Sequence, residues 1–151
     1  MKHQQTIDYH IKFAWQNIFN RYNQVAASFG ITQAIGYMLI NINDEEGTAV
    51  SEIASLLGIK ATSLSRMLKN MEESGLIYRE VSNADKRSVS VKLTQLGKEK
   101  KQLAKGVVRN FNEYLDEHFT KKEKQQFINL LIKLNELTVD YKEIENLEKV
   151  R

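Results

Sequence analysis

Apolar residues recur at threes and fours through most of the chain, and this spacing predicts helices. Ile7, Ile11, Ala14, Ile18, Tyr22 and Val25 mark a first helix from Thr6 to Ala27. Ile35, Met38, Leu39 and Ile42 mark a second, capped by Thr32. A short helix follows over 50–57, with Thr48 as its expected N-cap and Ile53, Leu56 and Leu57 inward. Gly58 stops it, because glycine enters the left-handed conformation without steric cost. From Lys60 to Glu73 the faces separate cleanly. Leu64, Met67, Leu68 and Met71 share one arc, and Lys60, Thr62, Ser63, Ser65, Arg66, Lys69 and Asn70 lie outside it. Beyond Gly75 the period changes to two. Leu76–Val81 and Ser88–Leu93 read as strands about a charged turn, with Val89, Val91 and Leu93 on the buried side. Thr94 then caps a long helix to about Phe119 through Leu96, Leu103, Val107, Phe111, Leu115 and Phe119. Thr120-Lys121-Lys122-Glu123 is a capping box that opens a last helix toward Leu147.

Helix, glycine turn, helix and hairpin in this order make a winged helix-turn-helix at about 48–97. The expected fold is therefore mainly α with a small β-wing, flanked by long dimerisation helices at about 6–27 and 95–148. The chain has no proline and no Gly/Ser-rich linker, so 1–151 reads as a single domain. The second helix of the motif presents hydroxyls, an amide and long cations. These side chains reach base edges and phosphates. They are the candidate DNA-binding residues: Lys60, Thr62, Ser63, Ser65, Arg66, Lys69 and Asn70. Asp85, Lys86 and Arg87 at the hairpin tip join them. An arginine there can enter a minor groove, and a carboxylate two residues earlier can brace it. An ordinary solvated helix face and a solvated surface ion pair are the plainer alternatives.

Several of these features together carry a family resemblance. Arg66, Gly75-Leu76-Ile77 with Arg79, Asp85-Lys86-Arg87 and Leu93-Thr94-x-x-Gly97 resemble the MarR family of transcriptional regulators. The likeness extends to the flanking helices. It departs at Lys60, which stands where an N-cap Ser, Thr or Asp would bond the free amides. The resemblance implies a homodimer that occupies a pseudo-palindromic operator in double-stranded DNA, most often as a repressor. It also implies release by a small aromatic or amphiphilic effector held between the dimer helices and the winged lobe. The candidate effector residues are Trp15, Phe19, Tyr22 and Tyr37, large aromatics suited to such a cavity. The candidate dimer contacts are Ile7, Ile11, Phe127, Leu131, Leu134 and Tyr141. An intramolecular hairpin of the last two helices is the alternative to dimerisation.

Charge sharpens this picture. The net charge is only +3, yet Lys60–Lys101 holds ten Lys/Arg against five Asp/Glu, so the remainder of the chain sums to −2. The acidic run Asn43–Gly47 is expected to be a solvated turn away from DNA. With no cysteine, thiol redox sensing is excluded, and with it the cysteine-dependent peroxide-sensing branch of the family. No apolar run has the length of a membrane span, and the N-terminus lacks a signal-peptide pattern, so a cytoplasmic protein is expected. No phosphate loop, nucleophile elbow or His-Glu-x-x-His helix suggests an enzyme, and no cofactor or metal is called for. His118 among Glu113, Asp116 and Glu117 reads as a charged helix end before it reads as a metal site. A winged helix used for protein contacts rather than DNA readout is the competing function.

The wing pair gives a double-mutant test. If Asp85 braces Arg87, alanine at either position costs similar DNA affinity and the double change little more, a coupling of about 1 kcal/mol or more. The loss should grow on operators with A·T-rich flanks. Additive losses in a binding titration, with no dependence on flanking sequence, would remove the pairing.

Overall fold

The computed structural model describes residues 3–81 and 89–141. The chain forms two compact units, Met1–Arg109 and Asn110–Arg151. After a 3-10 turn at His3–Gln5, the first unit holds α1 (Ile7–Ser28), α2 (Gln33–Asn41), β1 (Thr48–Ala49), α3 (Val50–Leu57), α4 (Ala61–Glu73), β2 (Ile77–Val81) and β3 (Val89–Leu93). α5 (Gln95–His118) begins in the first unit and ends in the second, which also contains α6 (Lys121–Asp140). The winged helix-turn-helix expected from the sequence is present. Its three strands are antiparallel in the order β1-β3-β2, with Ile77 opposite Leu93 and Thr48 opposite Val91.

The core of the first unit lies under the winged helix. Met38, Leu39 and Ile42 of the second helix region, Ile53 of α3 and Leu64, Leu68 and Met71 of α4 are all essentially inaccessible, with Val91 beneath them. Burying one such side chain fully contributes about 1.5–3 kcal/mol, so these positions decide how α3 and α4 seat. Leu56 departs from expectation: it is exposed. The packed arc of α3 is Val50, Ile53, Ala54 and Leu57, and Leu56 lies about 120° from its centre at 100° per residue.

Thr48 is a second correction. Ala49, not Thr48, is the N-cap of α3. Thr48 pairs with Val91 in β1, and its buried hydroxyl accepts from the Asn43 amide at 2.9 Å and donates to the Asn41 carbonyl at 3.4 Å. The acidic loop before it is more than a solvated turn. Asn43 Oδ1 accepts from the amides of Glu45 and Glu46, and Asp44 pairs with Lys101 at 2.6 Å. That hydrogen bond holds the Asp44 carboxyl below its ordinary pKa of 3.8.

Where the wing meets α5, Thr94 caps the helix by accepting from the Gly97 amide at 3.0 Å. Its hydroxyl also lies 2.6 Å from the Gly75 carbonyl, and its amide donates to the Leu76 carbonyl at 3.1 Å. A Cβ on Gly97 would run into that Leu76 carbonyl, so only glycine lets α5 leave the sheet here. The buried face of α5 is then Gly97, Lys101 and Ala104. Leu96 and Leu103, which recur at helical spacing, are exposed and lie about 110° around the helix.

In the second unit, Thr120 and Glu123 form the predicted capping box, with the Thr120 amide donating to Glu123 at 2.9 Å. Hydrogen bonds from the Thr120 side chain and then its amide hold the Glu123 carboxyl below its ordinary pKa. Lys124 pairs with Asp116. Phe127, Leu130, Leu137 and Val139 are exposed.

Two glycines of one helix should therefore respond oppositely to alanine. Gly97→Ala meets backbone and should destabilise by about 1–3 kcal/mol. Gly106→Ala meets nothing within 4 Å and should stabilise by about 0.5–1 kcal/mol through helix propensity. Urea unfolding of both variants checks the contrast, and an equal effect at the two sites would contradict it.

Candidate nucleic-acid interface

The direction of α4 is set by what it buries. Gly58 ends α3 at φ 59°, the left-handed geometry expected of it, and Ile59 packs partly into the core before α4 begins. Leu64, Leu68 and Met71 then anchor α4 along one side. The opposite side is left in water: Lys60, Thr62, Ser63, Ser65, Arg66, Lys69 and Asn70 are all exposed. Lys60 is the N-cap and makes no side-chain cap bond, so the first-turn amides lack a side-chain acceptor there.

Ion pairs fix the neighbouring surface. Arg79 on β2 bonds Glu72 on α4 at 2.8 Å, which ties the wing to the end of the reading helix. Lys92 bonds Glu80 across the two wing strands at 2.5 Å, and that bond raises the lysine pKa. Lys69 lies 3.8 Å from Glu73 with both side chains largely exposed, a pair too solvated to hold Lys69 back from a phosphate. Asp85, Lys86 and Arg87 lie outside the described residues.

The other candidate groups fall elsewhere. Tyr22 and Tyr37 line a cleft of roughly 410 Å³, counting space open to solvent, together with Phe29, Gln33, Ala104 and Val107. Burial raises the Tyr22 pKa. Trp15 and Phe19 are not in that lining; their ring centroids lie 6.3 Å apart on α1, tilted by 51°. Ile7, Phe127 and Tyr141 are exposed, while Ile11, Leu131 and Leu134 are partly covered. His118 donates from Nδ1 to the Tyr114 carbonyl at 2.8 Å, and among the described residues no three His, Asp or Glu side chains converge to hold a metal.

Sequence reasoning missed two cations of α5. Lys100 donates to the Phe29 carbonyl at 2.6 Å, and Lys101 to the Ile42 carbonyl at 2.5 Å. The only hint was that lysine interrupts the apolar stripe of that helix. Inward lysines without a nearby sequence partner carry no local signature.

Comparison with known proteins places this geometry. The family model described as MarR family matches residues 31–89, from just before α2 to the first residue of β3. A mutant E. coli MarR solved with operator DNA superimposes with a TM-score of 0.76 at 25% identity, covering 85% of this chain and 92% of that one. Over its winged helix-turn-helix the chain is similar to the MarR family. The S. aureus MepR–DNA complex shares the fold at a TM-score of 0.81 and 23% identity, over 87% of this chain and 97% of that one. Among curated relatives, the regulator TtmR of Methylorubrum extorquens is 33% identical over 87 residues, 57% of this chain and 45% of TtmR. The regulator SarZ of Staphylococcus epidermidis is 22% identical over 114 residues, 75% of each chain. Both of these relatives are HTH-type transcriptional regulators.

The exposed face of α4 should separate specificity from affinity. Changing Ser63 or Arg66 should alter base preference by about 1–3 kcal/mol for a direct contact. Lys69→Ala should weaken all duplexes alike and lower the salt slope by about one unit. Binding across a randomised operator library checks both. Unaltered base preferences in the Ser63 and Arg66 variants would mean that another face reads the bases.

Proposed function

We propose that this chain is a DNA-binding transcriptional regulator that acts as a homodimer on a pseudo-palindromic operator. One observation carries the reading: α4 is anchored by three buried apolar side chains, and its exposed side chains from Thr62 to Asn70 are hydroxyl, amide and cationic. That arrangement suits insertion in a major groove, and MarR-family neighbours of the same fold were solved on DNA. The wing residues Asp85, Lys86 and Arg87 extend the contact into the minor groove. The regulator works in the cytoplasm as one functional domain without catalysis, and it represses by occupying its site.

Dimerisation is supported by apolar side chains that one copy leaves in water, among them Ile7, Phe127, Leu137 and Tyr141. Exposed apolar area of this kind marks an interaction surface. The effector is a small aromatic or amphiphilic molecule, and the cleft with Tyr22 and Tyr37 offers it apolar walls with two phenol edges.

Selection from a randomised duplex pool followed by sedimentation with the winning sequence tests the proposal. The expected result is a two-fold symmetric consensus bound by one dimer, about 10³-fold or more tighter than scrambled duplex. Affinity should fall steeply and linearly in log–log form with salt. Weak binding that ignores sequence would instead favour a winged helix devoted to protein contacts.

A further inference from the structure

Adjacent residues of a helix point about 100° apart, and α5 uses that angle to send Lys100 and Lys101 into two different gaps. Lys100 reaches the carbonyl of Phe29, the C-cap of α1, and Lys101 reaches the carbonyl of Ile42, the C-cap of α2. Both cations therefore sit at the negative end of a helix dipole. Lys101 is 4% exposed and also grips Asp44 at 2.6 Å. A lysine that deeply buried carries a desolvation cost, offset only by partners in good geometry. An apolar side chain would fill the gap without that cost. It would not, however, fix a carbonyl and a carboxylate at set distances.

What those bonds hold is the approach to the reading head. The loop from Asn41 to Thr48 is internally bonded through Asn43 and Thr48, and α3 begins two residues after it. Asp44 feels Lys98 and Lys105 of the same face of α5 as well, so the loop is drawn toward a local excess of positive charge. We infer that Lys101 is a positioning residue: with Asp44 it clasps the α2–β1 loop, and through it α3 and α4, to the first turns of α5. Neither side chain belongs to the face assigned to DNA.

The inference rests on the DNA-binding reading for one of its two readouts. Asp44→Asn alters a partly exposed side chain and leaves the apolar core untouched, so the full-length variant is suited to the test. On a duplex selected with the wild-type protein, it should lose affinity about three- to tenfold, with an unchanged salt slope because no phosphate contact is lost. Asp44→Glu should recover most of the loss. Adding Asp44→Asn to Lys101→Met should cost nothing beyond Lys101→Met alone. Direct electrostatics predicts the opposite sign, since removing a carboxylate favours an anionic partner. Equal or raised affinity in Asp44→Asn therefore overturns the clasp. The second readout needs no DNA: amide exchange at Asn43, Glu45 and Glu46 should quicken in Asp44→Asn. If wild-type protein binds no duplex, the regulatory reading fails, and the clasp is decided by exchange alone, unchanged rates overturning it.

Discussion

The junction of Gly75, Leu76, Thr94 and Gly97 is the constraint on which the winged lobe depends. Two backbone carbonyls just past α4 are taken up by the hydroxyl and amide of one threonine, while a glycine lets the next helix pass against them. Reading helix, wing and α5 thus share a single contact point. Each remaining tie, the Arg79–Glu72 pair and the Lys101–Asp44 pair among them, adjusts an orientation that this contact has already limited.

Buried and solvent-facing side chains are divided along α4 with little overlap. Leu64, Leu68 and Met71 decide where the helix lies. Ser63, Arg66 and their neighbours are free to vary in identity without disturbing that seat, because they touch water rather than the core. A lobe built this way can change the sequence it reads without changing how it folds.

Much of this was legible in the residues. Period, caps and the Leu-Thr-x-x-Gly run placed α2, α4, the wing and the capping box at Thr120, because each is a local preference with a local cause. Thr48 and Leu56 were misjudged, and the lysines of α5 missed, for the opposite reason. A threonine before a helix caps it by default, yet here β3 recruits it into a sheet. Leu56 follows helical spacing, yet the arc that packs is centred on Val50 and Leu57. Lys101 meets Asp44 and Ile42 across nearly 60 positions, and no periodicity registers such a pairing.

The apolar side chains left in water on α1 and α6 have a thermodynamic meaning. Ile7, Phe127, Leu130, Val139 and Tyr141 stand outside the core of a single copy. Coverage of that surface by a second copy makes folding and association one equilibrium, and mass action then governs both. Under that dimeric reading the melting temperature rises with protein concentration, and dilution unmakes the regulator as surely as heat does. The abundance of the chain would then set how much reading head is present before any ligand acts on it.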